Sequence, residues 1–354
     1  MMSDHAQSTR WLAVTLVWLA MVWLVRADDQ LVLTDAPDVV LDVIILSETD
    51  KVIEYRDATG SQKIEAWRVE SILREDASMP YRQALQFLGT GNYLNAFKRF
   101  SEVQKAGGAS NGNWQEAYVD YYMTYCLFEL SKNHAEFVGK AVELLESFVK
   151  KFPIHRFTGA ARTHLGLIQI QQKKYAEAKA IFEQVDGNSG RRDLKATARY
   201  GLAQLAHAQN DSAAALKICS KTFQEHLFNH EIIALARKML LEEQKSGDEG
   251  YKWGQFLVAQ VDKSLRNDAY EFLALAETQL KKYEDAFIHF LKAKLLYLPK
   301  LQEPTPLAEY NMLICLKILM RENPEQYPEW EYRGVFDSLF ARLNKEQRKN
   351  ITSL

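Results

Sequence analysis

The sequence is poor in cysteine, with only Cys126, Cys219 and Cys315 among 354 residues. An exported domain that depends on disulfides usually has more cysteines, and an even number of them. None of the three has the spacing to a second cysteine or to a histidine that a zinc site requires. Each lies within an apolar helical pattern, so we expect three buried free thiols, with a reactive thiol as the alternative.

The sequence also lacks an excess of charge of either sign. Lysine and arginine number 44, aspartate and glutamate 46, and the formal net charge is −2. A phosphate backbone attracts proteins with a basic surface, so we expect no nucleic-acid partner. Charged residues make up 25% and hydrophobic residues 47% of the chain, which is ordinary for a globular protein with one or two domains.

Motifs of catalysis and cofactor binding are missing. There is no nucleophile elbow, no dinucleotide-binding glycine pattern and no paired cysteine motif. The glycine-rich stretch Ala106–Asn113 lacks the Lys and Ser/Thr of a phosphate loop, and we expect a mobile loop there. His226 and His230 could share one helix face, but they have no third ligand, which favours a structural or surface pair. We therefore expect no enzyme activity, no cofactor and no metal.

One apolar run stands near the N-terminus, at Trp11–Val25, and only Thr15 interrupts it. Its 15 residues are short for a membrane span, which needs roughly 17–25 residues, and they fit the hydrophobic region of a secretory signal. Val25 and Ala27 occupy the −3 and −1 positions for cleavage before Asp28. No cysteine stands at this junction, which argues against a lipoprotein-type anchor.

The sequence therefore predicts a signal peptide at residues 1–27 and an exported protein, periplasmic or extracellular. One alternative is an uncleaved anchor formed by residues 11–25, which would be the chain's only contact with a membrane. Another is a buried helix in a cytosolic protein.

Residues 28–76 are rich in Val and Ile and alternate between apolar and polar positions, as in "KVIEY" and "KIEAW". The turn residues Ala58–Ser61 separate two such runs. This pattern predicts a small β domain, either a β-meander of four or five strands or an SH3-like barrel. We interpret it as a packing or docking module; the alternative is a peptide- or glycan-binding barrel.

From residue 77 onward the pattern is helical and repetitive. "KKYAEAKAIFEQV" at Lys173–Val185 and "KKYEDAFIHFLKA" at Lys281–Ala293 share a Tyr, an Ala three residues later and a Phe four residues after that. Residues at this spacing lie on one helix face. The small Ala matters as much as the Phe, because a larger side chain would push two crossing helices apart.

The preceding helices supply the matching half of the motif. Leu165 and Gly166 stand 13 and 12 residues before Ala178, and Leu273 and Ala274 stand at the same distances before Ala286. Large-then-small in one helix, followed by aromatic, small and aromatic in the next, resembles the tetratricopeptide repeat (TPR) family. Further residues that match are Ala84, Phe87, Gly91, Tyr93, Ala96, Phe100, Ala141, Leu145, Phe148, Pro153, Leu202, Ala203, Ala215 and Cys219.

This resemblance implies a mainly α fold. We expect a right-handed α-α superhelix, a TPR-like solenoid of about seven helical hairpins, in residues 77–354, with a divergent last pair as its cap. The stretch from Ala141 to Val185 looks most like bacterial envelope members of the superfamily, of the outer-membrane assembly lipoprotein and Tol–Pal coordinator types. It differs from them in having no acylated cysteine and a β segment in place of a coiled-coil start.

The function that the resemblance implies is a non-enzymatic exported scaffold of the bacterial cell envelope, which binds a protein or peptide through its concave surface. Three alternatives stay open: a cell-wall or glycan-binding protein, an accessory subunit of an envelope enzyme complex, and a hydrolase whose residues lie hidden in the groove.

In TPR arrays the first helix of each hairpin lines the concave surface. With Leu165 and Leu202 as reference positions, the residues two before and two or five after them point inward. They are Thr163, Leu167 and Ile170 in one repeat, and Tyr200, Gln204 and His207 in the next. Leu167 and Ile170 are explained equally well as core, so the partner-binding candidates are Tyr200, Gln204 and His207. Aromatic and neutral polar groups suit an extended peptide or a partner helix more than a highly charged ligand.

Overall fold

The structure is a computed structural model that describes residues 29–33, 40–106, 114–243, 246–296 and 306–353. The predicted signal peptide at residues 1–27 lies outside the described residues, as does the predicted loop after Ala106. Within the described part of the chain, no helix has the length and apolar character needed to cross a membrane.

Five antiparallel strands form one sheet at the start of the described chain: β1 (Asp29–Leu33), β2 (Val40–Glu48), β3 (Val52–Asp57), β4 (Gly60–Glu65) and β5 (Val69–Arg74). Their order in the sheet is β4-β3-β2-β1-β5. The first four strands form a meander, and β5 returns to pair with β1 after a short 3-10 turn at Ala66–Arg68. This return distinguishes the sheet from a plain meander and corresponds to the SH3-like alternative.

The sheet has a small core of its own, which follows from the period-two alternation of its strands. Leu31, Val43 and Ile53 are fully buried on one face, and Ile53 lies opposite Ile64 in the β3–β4 hairpin. The turn of that hairpin has the predicted position, because Asp57 accepts hydrogen bonds from Thr59 at its tip.

The described chain after residue 78 is helical, so the predicted mainly α fold with a preceding β segment is confirmed. The α-helices of the described residues are α1 (Met79–Gly89), α2 (Tyr93–Lys105), α3 (Trp114–Ser131), α4 (Val138–Lys151), α5 (Thr158–Gln171), α6 (Tyr175–Asn188), α7 (Arg192–Ala208), α8 (Ser212–Gln224), α9 (His230–Arg237), α10 (Gly247–Gln260), α11 (Arg266–Gln279), α12 (Tyr283–Leu296), α13 (Pro306–Glu322), α14 (Glu329–Phe340) and α15 (Lys345–Ser353). A π-helical turn, Lys238–Glu243, continues α9.

The chain divides into two compact units. Unit 1 contains the sheet, α1–α5 and residues 188–191, and its helices α1 to α4 each pack on the next. Unit 2 contains residues 172–187 and everything from residue 192 onward. Within unit 2, α7 packs on α8 and α9, α11 packs on α10 and α12, and α13 packs on α12, α14 and α15.

The close-packing positions of the repeat are where the sequence predicts them. A small residue is fully buried in the second helix of each motif, and Gly254 serves in the weakest repeat, where an added Cβ would lie 2.8 Å from the Cα of Leu273. The buried alanines are Ala96, Ala141, Ala178, Ala215 and Ala286.

Four turns between helices share one backbone conformation. Gly91, Lys173, Asn210 and Lys281 adopt left-handed conformations, with φ between 58° and 71°, and each stands two residues before the next helix. In three of these turns, the following N–H donates to the carbonyl five residues earlier at 2.9 Å: Asn92 to Phe87, Asp211 to Ala206 and Lys282 to Glu277. This is the Schellman pattern, which satisfies the free carbonyl groups at a helix end.

The predicted divergent pair is α13 and α14, and a further helix, α15, follows it. The helical periodicity of the sequence does not separate α15 from α14. The fully buried Ile351 of α15 joins the apolar core around α13, where the Lys317 ammonium donates to the Ile351 carbonyl.

Candidate functional site

The predicted partner-binding residues lie on α7, and side chains of unit 2 contact this helix on both flanks of those residues. At Gly201, an added Cβ would lie 2.3 Å from the Phe182 ring of α6, so the two helices approach closely there. Arg199 bridges two neighbours, with its Nε 3.0 Å from Asp186 and an Nη 2.7 Å from Glu225. The backbone of α7 therefore has little freedom to move.

Tyr200 and Gln204 form a bonded pair one helical turn apart. The Gln204 amide donates to the Tyr200 hydroxyl at 2.8 Å, and both side chains are half-buried. The body of Tyr200 packs against the core of unit 2. Burial, together with the nearby charge of Glu231, raises the pKa of Tyr200 to about 12, so this phenol stays neutral.

His207 completes the stripe two turns after Tyr200. Its side chain is 23% exposed, and its Nε2 lies 3.4 Å from a carboxylate oxygen of Glu243. Its Nδ1 is buried and has no hydrogen-bond partner among the described residues. The structure thus brings the three predicted residues together on one strip of α7 that is only partly covered.

The neighbour of this strip is α9 with its π-helical turn. Asn229 caps α9 by accepting from the Ile232 N–H at 2.9 Å, and its amide reaches Thr197 of α7 at 3.4 Å. The π turn carries Glu243, which faces His207 and also lies 3.8 Å from the Lys238 ammonium. Single π turns within helices are frequent at functional sites, and no sequence motif predicts this one.

On its far side, α9 is fastened to α11 by ion pairs. The Arg237 guanidinium lies 2.6 Å from the buried carboxylate of Glu271, and His230 contacts Asp268. The hydrogen bond to Asp268 raises the pKa of His230. The first helices of three successive hairpins, α7, α9 and α11, are therefore linked side by side through polar contacts.

The corresponding residues of α5 present fewer polar groups to a partner. Thr163 is buried, and its hydroxyl donates to the Ala160 carbonyl at 2.7 Å, so it presents nothing to a partner. Leu167 and Ile170 are half-buried. Of the two sets of inward positions, only the one on α7 combines polar groups with partial exposure.

The described residues contain no group of histidines, cysteines and carboxylates that could hold a metal ion. The two histidines of "HLFNHE" do not share a helix as the sequence suggested: His226 lies in a left-handed turn with φ of 54°, and His230 begins α9. All three cysteines are free and buried, as expected. Burial raises the pKa of Cys126 and Cys219 to about 12 and that of Cys315 to about 11, so they remain thiols.

A pocket in unit 1 lies where the sheet meets α1. It is a cavity of about 810 Å³ with a mixed lining that includes Gln30, Asp42 and Arg56 from the sheet and Tyr81 and Leu85 from α1. Its volume is within the range of small-molecule sites. No sequence motif in the sheet marks this cavity.

Next to this cavity, buried charges join the sheet to the helices. The Arg74 guanidinium lies 2.7 Å from Asp29, contacts Glu48, and lies over the Trp114 ring at 5.1 Å from its centroid. The Tyr118 hydroxyl donates to Glu48 at 2.7 Å. We call these five residues the sheet–helix clamp. Burial raises the pKa of Asp29, although the adjacent Arg74 opposes the shift.

Comparison with protein families gives a match at residues 96–232, fewer than half of the chain, to the model described as a tetratricopeptide repeat-like domain. The match supports the TPR superfamily, whose members are generally non-catalytic scaffolds. A solved tetratricopeptide repeat protein from Parabacteroides merdae ATCC 43184 is similar at 13% identity with a TM-score of 0.37, over 67% of this chain and 97% of that chain, which is too weak a likeness to support an argument. Comparison with curated proteins found no match.

Proposed function

We propose that this chain is a non-enzymatic scaffold that binds a protein or peptide through α7 and the first helices that flank it. TPR-like domains typically bind protein partners, and the matched residues 96–232 include the whole of α7. The concave surface of such arrays is lined by first helices, which is the position of α7 in its hairpin with α8.

The observation that supports this proposal most directly is the strip formed by Tyr200, Gln204 and His207. The helix that carries it is packed on both flanks, at Gly201 and at Arg199, while the strip itself stays partly open. A rigid backbone that presents an aromatic ring and neutral hydrogen-bonding groups is what a peptide site needs, because little entropy is lost when it binds.

The test is selection of binders from a random peptide library on the purified chain. A variant with Tyr200→Ala, Gln204→Ala and His207→Ala should lose the enriched peptides while keeping its circular dichroism spectrum at the assay temperature. Its melting temperature should fall, because the body of Tyr200 packs against the core of unit 2. The matched control replaces three exposed residues of α8, with Lys217→Ala, Lys221→Ala and Gln224→Ala. If the α7 variant retained the peptides at unchanged affinity, the site on α7 would be excluded.

We further propose that the protein works outside the cytoplasm, in the cell envelope. The support is the sequence pattern at Trp11–Val25 and the small residues before Asp28. N-terminal sequencing of exported protein should read Asp-Asp-Gln. An intact N-terminus in a carbonate-resistant membrane fraction would instead identify residues 11–25 as an anchor.

The cavity between the sheet and α1 favours a second candidate function, binding of cell-wall glycan. Gln30, Asp42 and Arg56 offer amide, carboxylate and guanidinium groups that can hydrogen-bond sugar hydroxyls. A sedimentation assay with insoluble peptidoglycan tests this. Binding that survives both Arg56→Ala and Gln30→Ala would exclude the cavity.

A further inference from the structure

The strip on α7 is neutral, but the helix beside it is acidic. From Tyr200 to His207, α7 contains no ionisable side chain apart from these two residues. Glu231 stands two residues after Asn229, whose amide lies 3.4 Å from the Thr197 hydroxyl, about one turn of α7 before Tyr200. At the other end of the strip, Glu243 lies 3.4 Å from His207. A carboxylate therefore stands beside each end of the strip.

The other charges of α9 and its π turn do not cancel these two. Arg237 forms an ion pair with the buried Glu271, with an Nη atom 2.6 Å from the carboxylate, and its Nε lies 4.0 Å from Glu242. Lys238 is 53% exposed and lies 3.8 Å from Glu243. Arg237 and His230 are each paired with a carboxylate of α11, Glu271 and Asp268. The remaining charged groups of this element are three carboxylates and one ammonium group, which sum to a formal charge of −2.

Both carboxylates are available to a partner. Glu231 is exposed and has no ion pair among the described residues, and the Glu243 side chain is 36% exposed. An exposed ion pair such as Lys238–Glu243 is weak, because water and salt screen it, so a cation of a partner can replace the lysine at small cost.

The spacing of the two ends fits an extended chain. Tyr200 and His207 are seven residues apart, which corresponds to about 10 Å along a helix. An extended peptide in the polyproline-II conformation has three residues per turn and rises about 9 Å over them. Two side chains three residues apart in such a segment therefore point to the same side and can reach both ends of the strip at once.

Building on the proposed function, we propose that the segment bound at this site is basic and extended, with two lysine or arginine side chains three residues apart. One cation lies near Glu231 beside the Tyr200 ring, and the other lies near Glu243 beside His207. The aromatic ring favours a cation over its face, and Gln204 is left to bond the backbone between them. Because the carboxylates are exposed, binding weakens as salt is added.

The test uses three fluorescein-labelled decapeptides and fluorescence anisotropy at low ionic strength. The first carries two lysines three positions apart in a Ser, Thr and Val background. In the second, both lysines are glutamates, and in the third the two lysines are adjacent. We expect the first peptide to bind roughly tenfold more tightly than the second, which is the effect of two exposed ion pairs, and more tightly than the third.

The matched variants are Glu231→Gln with Glu243→Gln, and a control with Glu177→Gln and Glu183→Gln, two exposed carboxylates of α6. The first variant should lose the preference for the lysine peptide, and the control should keep it. If the first variant melts at a lower temperature, the exposed Glu231→Gln change alone is measured, with about half the effect on the logarithm of the affinity.

The outcomes separate this inference from the proposed function. If the lysine peptide does not bind, or binds no better than the glutamate peptide, the partner is not basic and the inference is wrong. If all binding is lost in the triple Ala variant of α7 but charge has no effect, only the inference fails. If that triple variant binds every peptide as before, the proposed function fails as well.

Discussion

Lys173 and Lys281 show what the repeated "KKY" motif does at the scale of single residues. The first lysine of each motif has φ near 60° and occupies the same turn position as Gly91 and Asn210. A side chain in this left-handed conformation costs about 1–2 kcal/mol, because its Cβ approaches the following carbonyl oxygen. The motif therefore marks the end of one helix and the start of the next.

Replacing Lys281 by glycine should stabilise the protein, by about 1 kcal/mol, because glycine adopts this conformation without the Cβ clash. The matched control is Lys217→Gly in the exposed interior of α8, which should destabilise it by about 1 kcal/mol. Urea unfolding followed by circular dichroism measures both. A loss of stability in Lys281→Gly would mean that the lysine makes a contact that outweighs its backbone strain.

His164 should make unit 1 sensitive to acid. Its ring stacks on Phe128 with centroids 4.2 Å apart, and its buried Nδ1 has no partner among the described residues. Burial, with a smaller effect of Lys132, lowers its pKa from 6.5 to about 3. The unfolded chain therefore takes up a proton that the folded ring refuses, and stability falls as the pH drops from about 6.5 towards 3.

A His164→Phe variant should lose this part of the pH dependence. Between pH 6 and 4.5, its unfolding free energy should fall less steeply than that of the unaltered protein, by up to about 1.4 kcal/mol per pH unit. Phe128→Leu is the control, since it disturbs the same stack but removes no titrating group, and its slope should not change. Equal slopes in the unaltered protein and His164→Phe would show that the folded ring accepts protons normally.

Sequence reasoning located the small buried residues well and missed the buried charges. Ala178 and Ala286 could be predicted because a fixed spacing within one hairpin determines their place. Asp29, Arg74 and Tyr118 come together from distant parts of the chain, so no local period marks them. Partner-binding by Tyr200, Gln204 and His207 stays a prediction, although their common strip on α7 follows from helical spacing alone.

At the scale of elements, the close approach of α6 and α7 sets the position of the candidate site. Gly201→Ala should destabilise the protein by about 1–3 kcal/mol, because the new methyl group would overlap the buried Phe182 ring. The loss of stability is expected although alanine is the better helix former. Gly334→Ala in α14 is the control: no atom lies within 4 Å of the added Cβ, and a gain of up to about 1 kcal/mol is expected.

Thermal unfolding of the two glycine variants gives the comparison. Gly201→Ala should also weaken peptide binding, since α7 must shift to accommodate the methyl group. If both variants were stabilised alike, helix propensity alone would determine their change in stability. The tight crossing at Gly201 would then not exist.

Two elements could not be predicted from hydrophobic periodicity, for different reasons. The start of α15 has a local signal that periodicity does not capture: Asn344 accepts from the Gln347 N–H at 2.9 Å, and Gln347 accepts from the Asn344 N–H at 3.1 Å. This reciprocal pair is a capping box, which can be recognised in sequence. The pairing of β5 with β1 has no local signal, because it depends on contacts some 40 residues apart.

At the scale of the whole molecule, the sheet–helix clamp links the stability of the β segment to that of the helices of unit 1. Tyr118→Phe should destabilise the protein by roughly 2 kcal/mol, since it removes a hydrogen bond to the buried Glu48 carboxylate. Tyr122→Phe is the control in the same aromatic cluster, because the Tyr122 hydroxyl has no hydrogen bond among the described residues. Its stability should change by less than about 0.5 kcal/mol.

Denaturant unfolding of both tyrosine variants tests whether the hydrogen bond to Glu48 contributes to stability. Equal effects would mean that the clamp contributes nothing beyond ring packing. The predicted boundary between a β domain at residues 28–76 and a helical domain at residues 77–354 stays a prediction, and the clamp crosses it within unit 1.

The clamp also has a consequence for the order of events as the chain folds. Helical hairpins form from neighbours in sequence, whereas Asp29 meets Arg74 across 45 residues and Glu48 meets Tyr118 across 70. Contacts between such distant residues are slow to form, because a long loop must close before they can stabilise anything. During synthesis, the first strands therefore emerge from the ribosome before Tyr118 does, and in that interval the Glu48 carboxylate lacks its bond to the Tyr118 hydroxyl.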